Sequence, residues 1–413
     1  MKLSEILTAR GFVYQHTGTS LSEITDGEKR TIYFGIDPTA DSIHAGNLAG
    51  YMMLRHFAAD GHKIILLVGG GTGLIGDPKA TGARPTVDAD EVARRVEKIK
   101  AQVARLVGAE IEVVNNADWL VDIKLIEFLR DVGKHFTINA LVKKEIMAER
   151  LKHEIPLSYT EFAYPLLQAY DYLHLHQEKG VDLQVGGSDQ WTNIMAGVEL
   201  VHKKLGNTVH ALTTPLVIDK KTGRKFGKSE GNAVWLDSQK TSPFSFYQFW
   251  LNVDDENVGD YLPKYTMMEI QEIENLMKEH NTHPEERVAQ RALARAVTEL
   301  VHGRAQTDGA EKVSEVLFGD SDLAALTELQ RDAFVEGAPS TRVKVGDTLI
   351  DTLVSSALAS SKREAREFIE SGAVTLGGKK VEDVSRALAE ADFQNGIALL
   401  RRGKRNVSVL IIS

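Results

Sequence analysis

Two lysines, a histidine and a set of carboxylates and amides carry the chemistry open to this chain. In "YFGIDPTADSIHAGN" (33–47), His44 and Asn47 flank Gly46 shortly after an Asp-Pro. That stretch is either a plain turn, which Pro and Asp suit, or a set of polar groups offered to a ligand. In "KFGKSEGN" (225–232), Lys225 and Lys228 bracket a Phe-Gly and Ser229 follows. A glycine-containing loop of that kind can bring two ammonium groups onto a polyphosphate, where lysine serves as a point charge. A solvated basic loop has the same composition. Asp77 sits at a strand end after "GTGLIG" (71–76), where a carboxylate suits a cation such as an ammonium group, or forms a turn. Tyr164, Gln168 and Asp171 recur at i, i+4 and i+7 in a segment rich in Leu, Tyr and Phe. They form either a surface stripe or the convergent polar groups of a small-ligand pocket.

Two other motifs are set aside. "GTGLIG" fits the dinucleotide fingerprint, but Asp77 and Pro78 follow directly and the next strong helix starts about ten residues later. A phosphate-binding helix should open at the third glycine. His174 and His176 lie two apart on a helix, face different directions and form no metal site.

The elements that must position these residues alternate. Strands are expected over 30–36, 62–70, 111–116 and 181–190, and helices over 44–60 and 86–107. Strand–helix alternation predicts a parallel sheet with crossover helices, an α/β fold whose ligands bind beyond the carboxyl ends of the strands. Loops starting at Gly35, Gly69 and Gly186 would gather there. From Pro243 to Gly303 the chain reads as helical, with one helix starting at Pro284 and ending at Gly303. The stretch 336–347 reads as a polar linker. In the tail, Ser361 and Glu364 predict a capping box, Gly372 a C-cap, and "AVTLGGKKV" a strand and turn.

Composition excludes several classes. A 43% hydrophobic share over 413 residues builds a large core and predicts several domains. With no cysteine there are no disulfides or thiolate metal sites, which fits a reducing cytoplasm. The first residues do not read as a signal peptide, and no apolar run reaches a membrane span. From Thr341 onward, 12 Lys and Arg face 9 Asp and Glu, whereas the whole chain has a net charge of −9. A positive tail on an acidic body predicts a local anionic partner.

Taken together, the His44–Asn47 turn and the Lys-x-x-Lys-Ser stretch resemble the signature pair of class I aminoacyl-tRNA synthetases. "YFGIDPTADSIHAGN", "GLIGDP" (73–78), "YPLLQAYD" (164–171), "QVGGSDQW" (184–191), "KFGKS" and "TSPFSFYQFW" (241–250) resemble the bacterial tyrosyl branch, across nearly the whole chain and in its order. "SSKREAREFIESGAVTLGGKKV" (360–381) resembles an S4 RNA-binding domain. Asn47 departs from the family's usual histidine, though its amide can still donate to a ribose oxygen.

The resemblance implies a Rossmann-like catalytic domain over 1–238, with an insertion near 117–160. An all-α domain over 239–330, a linker over 331–346 and a small α+β S4-like domain over 347–413 would follow. It implies that Thr39 and His44 meet the ATP phosphates, that Asn47 reaches the ribose, and that Gly46 lets the adenine approach. Gly35, Asp37, Gly187 and Asp189 complete the nucleotide set. Tyr33 and Asp171 would bind the phenolic hydroxyl of tyrosine, Asp77, Tyr164 and Gln168 its ammonium group, and Gln190 its polar end. Lys225, Lys228 and Ser229 would face the leaving pyrophosphate, with Mg²⁺ arriving on ATP and no protein-held metal. Lys79 and Arg84 lie where the family often carries mobile basic residues, but their spacing does not match. Lys362, Arg363, Arg366, Arg401, Arg402, Lys404 and Arg405 would contact tRNA. The insertion, including "DVGKHFTINALVKKE" (131–145), would make a homodimer contact and meet the acceptor stem. A tryptophan-specific sister enzyme and a non-catalytic RNA-binding paralogue are the alternatives.

Overall fold

A computed structural model describes residues 1–77, 88–142, 145–223, 226, 228–229, 232–318, 335, 338–403 and 406–412. Lys79, Arg84, Lys225, Lys404 and Arg405 lie outside the described residues, and Lys228 and Ser229 are described by their backbone alone.

Apolar, β-branched runs form the central sheet. Its strands are β1 (Gln15–His16), β2 (Thr31–Ile36), β3 (Lys63–Val68), β4 (Glu112–Asn115), β5 (Val181–Gly187) and β6 (His210–Thr214). The order is β1-β6-β5-β2-β3-β4, parallel except for β1 at the edge. Strand β2 pairs with β3 on one side and β5 on the other, with Phe34 level with Leu66 and Val185. The chain thus winds outward from β2 to β4, then crosses to β5 and β6. That places a topological switch point between β2 and β5, where a crevice opens at the carboxyl ends.

Both faces are covered, as a parallel sheet requires. Tyr33, Ile65 and Leu67 pack with Tyr172, Leu173 and Leu200. The last three belong to helices Tyr159–Lys179 and Trp191–Leu205. On the alternate side of β2, the Phe34 ring lies edge-on to Tyr51 of helix Leu48–Ala59. Helix Tyr159–Lys179 is well bounded. Ser158 and Glu161 form a capping box at its start, and Gly180 takes a left-handed φ of +67° at its end. Helix Ala89–Val107 begins at its cap, Asp88, whose carboxylate accepts from the Glu91 N–H.

Two compact units divide the described chain. One holds Met1–Leu236 with Asp254–Ala289; the other holds Asp237–Val253 with Gln290–Ser413. The helical stretch 239–330, expected as one block, is therefore shared between them. The helix expected from Pro284 is also interrupted. Pro284 opens only a single 3-10 turn, Arg287 takes φ +55°, and a new helix runs Val288–His302.

The C-terminal sheet has β9 (Ser340–Val343), β10 (Val374–Leu376), β11 (Lys379–Lys380), β12 (Ile397–Arg402) and β13 (Asn406–Ile412), in the order β11-β10-β12-β13-β9. Strand β9 corrects the linker expectation. Residues 340–343 pair in parallel with β13, and Val343 is buried with Leu349, Leu353 and Leu410. The β-branched Thr341 and Val343 suit that pleat better than the polar neighbours suit a linker. The expected capping box is half formed. Ser361 accepts from the Glu364 N–H, but the Glu364 carboxylate turns to the N–H and hydroxyl of Ser360. Gly372 is left-handed at φ +65° and Gly377-Gly378 forms the hairpin turn, as expected. Among the described residues no helix is long and apolar enough to cross a membrane.

Arg10 ties the start of the first unit to its helical part. Arg10 is 4% exposed, and its guanidinium donates to the carbonyls of Pro263, Thr266 and Met268. Each buried carbonyl left unpartnered costs about 1–3 kcal/mol. Arg10→Ala should lower stability by about 3 kcal/mol, read as an earlier urea midpoint for the transition that includes the first unit. An unchanged midpoint would show that water replaces all three bonds.

Candidate active site

The first signature pairs through its backbone with the chain just after the second. His44 caps a 3-10 turn, Ala45–Asn47, by accepting from the Gly46 N–H at 3.1 Å, and helix Leu48–Ala59 follows. His44 also forms an antiparallel bridge with Trp235, and their rings meet edge-to-face at 6.0 Å. The Ala45 N–H donates to the Val234 carbonyl and the Leu236 N–H to that of Ile43. Upstream of this bridge, β7 (Lys228–Ser229) pairs with β8 (Asn232–Ala233). The chain following the lysines is thus stitched to the chain around His44.

A second group of residues forms two buried or half-buried polar clusters, one running from Tyr164 to Asp171 and one around Asp77. The Tyr164 hydroxyl donates to Asp37 Oδ2 at 3.0 Å, and Thr72 Oγ1 to Asp37 Oδ1 at 2.9 Å. Asn116 Nδ2 lies 3.0 Å from both Thr72 Oγ1 and Asp171 Oδ2. Trp119 Nε1 donates to Asp171 Oδ1 at 2.8 Å. Gln190 Nε2 donates to Asp77 Oδ2 at 2.9 Å, and Asn193 reaches both. Gln168 is buried on the same helix as Tyr164 and Asp171. The stripe of Tyr164, Gln168 and Asp171 therefore faces inward and is not a surface face.

The electrostatics follow from burial. Asp171 is 1% exposed, and desolvation pushes its carboxyl up to about 7 against the opposing bonds from Asn116 and Trp119. Burial, with Asp171 and then Asp37 nearby, holds the Tyr33 phenol far above its ordinary range. Tyr164 is raised in the same way, by burial and then by Asp37 and Asp77. Both phenols stay neutral donors. The Tyr33 ring lies over Gly35, where a Cβ would stand 3.2 Å from its hydroxyl.

The remaining expected residues fall around this core. Gly187 ends β5, and Asp189 lies in the 3-10 turn Ser188–Gln190 that follows. Thr39 is exposed, and its carbonyl accepts from Arg95. Asp37, expected among the nucleotide residues, has an oxygen on Tyr164 and an oxygen on Thr72, within the network that reaches Asp171. In "GTGLIG", Thr72–Leu74 forms a 3-10 turn, and Gly76 and Asp77, the last described residues before 88, are not helical. His174 stacks on Trp119 at 4.4 Å, whereas His176 bonds the Val181 carbonyl. Sequence reasoning misses Thr72, Asn116 and Trp119. The signal available for Asn116 is its place at the carboxyl end of a strand.

On the tail, Lys362, Arg363 and Arg366 are exposed along helix Lys362–Glu370. Lys362 pairs with Asp351 and Arg363 with Glu367. Arg402 covers the Phe368 ring at 4.7 Å, and Arg401 donates to the Val316 carbonyl. Arg401 and Arg402 are half-buried.

Asp171 makes stability pH-dependent. Its folded value lies above the ordinary 3.8. Between about 4 and 7 the unfolded chain gives up this proton while the folded chain keeps it, so the contribution of this group falls as pH rises. In urea unfolding across that range, wild-type stability relative to Asp171→Asn should decline with increasing pH. A pH-independent difference would place the carboxyl at its ordinary value.

Comparison with known proteins agrees with this geometry. Residues 25–319 match the family of class I tRNA synthetases (W and Y), and 330–410 match the SYY-like C-terminal domain of tyrosine–tRNA ligase. Tyrosine–tRNA ligase 2 of Enterococcus faecalis is 45% identical over 98% of both chains. The tyrosine–tRNA ligase of Limosilactobacillus fermentum is 42% identical over 99% of both. The crystal structure of a C-terminally truncated mitochondrial tyrosyl-tRNA synthetase from Aspergillus nidulans superposes with TM-score 0.70 at 30% identity, covering 77% of this chain and 94% of that one. Stitched signatures at a switch-point crevice, a polar stripe with a carboxylate at its buried end and full-length similarity converge on one conclusion: the chain belongs to the class I tyrosine–tRNA ligases.

Proposed function

We propose that the crevice activates tyrosine with ATP and then charges tRNA. The observation that carries this reading is the bonded run Asp171–Asn116–Thr72–Asp37–Tyr164, with Asp77 close enough to Tyr164 to raise its phenol. Asp171 and Tyr33 stand toward one end, and Asp77 with Gln190 toward the other. An amino acid with a phenol at its tip and an ammonium at its base presents the two matching donors. An indole side chain has no hydroxyl to offer Tyr33 and Asp171.

In this reading the phenolic O–H donates to Asp171 and accepts from Tyr33. Asp77, Tyr164 and Gln168 hold the ammonium group, and Gln190 orients the polar end. The tyrosine carboxylate attacks the α-phosphorus of ATP, and the bond to pyrophosphate breaks. Thr39, His44, Lys225, Lys228 and Ser229 stabilise charge on the departing pyrophosphate, with Mg²⁺ arriving on ATP. Gly35, Gly46, Asn47, Gly187 and Asp189 bind adenosine, and Asp37 orders the wall between the two substrates. A terminal ribose hydroxyl of tRNA then attacks the acyl carbon and releases AMP. Positioning and charge stabilisation supply the catalysis.

The RNA side rests on the exposed Lys362, Arg363 and Arg366, joined by Arg401, Arg402, Lys404 and Arg405 in sequence. A homodimer is supported by the insertion, where Ile126 is 72% and Tyr159 73% exposed beside exposed Leu125 and Ile138. An open apolar hollow of about 480 Å³, lined by Leu151, Ile155, Pro156, Tyr159 and Phe162, lies on the same segment. A cytoplasmic place follows from the partners proposed.

Exchange of labelled pyrophosphate into ATP tests the first step. Tyrosine should support it and tryptophan should not; support by tryptophan would overturn the assignment. Lys228→Ala should slow adenylate formation by about 10²–10³ while tyrosine binding holds. A near-native rate with weakened tyrosine binding would move Lys228 to another role.

The tail can be tested apart from the chemistry. A chain ending at Ala338 stops just before β9 and loses that whole sheet. It should still exchange pyrophosphate, but bind and charge tRNA poorly and with a flatter salt dependence. Loss of exchange together with charging would show that the tail belongs to the catalytic unit.

A further inference from the structure

Phe226 stands between the two signature lysines, one residue after Lys225 and two before Lys228. Its ring is held by two buried tyrosines of helix Asp255–Tyr265. Tyr261 lies 4.4 Å away between ring centroids and Tyr265 5.7 Å, and the two are 1% and 0% exposed. The Phe226 N–H donates to the Val217 carbonyl at 2.9 Å. The chain leading from Val217 is tied to the same helix. Asn257 accepts from the Lys220 N–H and donates to Asp219, and the Tyr261 hydroxyl reaches the Ile218 carbonyl.

The other side of Phe226 meets the first signature. A Cβ built on Gly46 would overlap the Phe226 carbonyl oxygen. Position 46 is therefore closed to a side chain by the second signature's own backbone, before any nucleotide is considered. Downstream, Val234 and Leu236 pair with Ala45 and Ile43. Phe226 is thus held by its ring and its N–H, and the chain from Val234 to Leu236 by strand-like pairing.

Resting on the proposed tyrosine activation, we propose that Phe226 is the positioning residue of the lysine signature. Its ring is seated on Tyr261 and Tyr265, its carbonyl is received by Gly46, and this seat sets where the flanking lysines stand when pyrophosphate departs. The covalent chain makes the coupling direct, since neighbouring Cα atoms are a fixed ~3.8 Å apart. An aromatic seat suits this task because the contact is geometrically selective as well as apolar. Gly46 then has a purpose beyond admitting adenine, because a side chain there lifts the lysine segment away from the first signature.

The test compares Phe226→Ala, Phe226→Leu and Gly46→Ala in the full-length protein with two independent readouts. In single-turnover activation, Phe226→Ala should slow adenylate formation by about 10²-fold, the cost of misplacing a catalytic group by about 1 Å. Tyrosine affinity and the melting temperature should stay near wild type. Limited trypsin digestion should nick the chain after Lys225 or Lys228 roughly tenfold faster in Phe226→Ala and in Gly46→Ala, because cleavage follows the population of the unseated segment. Phe226→Leu should fall between. If Phe226→Ala does not fold, Phe226→Leu and Tyr261→Leu probe the contact from its two sides. Unchanged nicking and rate in these variants would overturn the proposal. So would a loss of tyrosine affinity in step with the rate, which marks a structural role only. Failure of the wild type to exchange pyrophosphate would instead remove the functional reading, and the digestion would still decide whether Phe226 seats the segment.

Discussion

Parallel pairing of β2 on both sides is the constraint from which the site follows. A strand between two parallel neighbours leaves no edge for a hairpin return, so its connections must cross over as helices. With β3 on one side and β5 on the other, those crossovers diverge. The crevice they leave is lined by the segments at the carboxyl ends of β2, β3, β4 and β5: the His44 turn, the Thr72 turn, Asn116 and the Asp189 turn. Segments distant in sequence are brought to one place by topology, and their side chains need only local capping and turn chemistry to aim them.

Within that crevice, burial sets the polar pairing. A carboxylate as enclosed as Asp171 costs several kcal/mol unless donors surround it. Asn116 and Trp119 supply two, and Thr72 passes the network on to Asp37 and Tyr164. The chain of donors and acceptors fixes which way each group points. Such networks specify geometry as much as stability, because a half-satisfied one is worse than an apolar core. The site is thereby prepared for a ligand that brings its own donors.

The lysine signature obeys a different rule. Its described parts are anchored by apolar contact and backbone pairing, with Phe226 on one side and the Val234–Leu236 pairing on the other. A polar network orders the groups around Asp171, whereas Phe226 is held by an aromatic contact with Tyr261 and Tyr265. The S4-like tail follows its own logic. A small apolar core under two helices and a five-stranded sheet supports cations at its surface, some of them paired with neighbouring carboxylates.

The sequence by itself determined the alternation of strands and helices, the caps at Ser361 and Gly372, and the order and spacing of the two signatures. Each depends on residues a few positions apart, where periodicity, turn preference and capping act. It also held the inward stripe of Tyr164, Gln168 and Asp171, although periodicity alone left that stripe open to two readings. Only the tertiary structure decided which polar atoms meet. Tyr164 and Asp37 are 127 residues apart in sequence. No local pattern marks Thr72, Asn116 and Trp119 as partners of the carboxylates, or Arg10 as the cap of carbonyls from Pro263 to Met268. Strand β9 is hidden for the same reason. Ser340–Val343 carries a weak strand pattern, and its pairing with β13 is a long-range contact that buries Val343. Near-neighbour preferences are written in the order of residues, whereas the pairing of buried polar groups and sheet edges is settled by which surfaces the folded chain presses together.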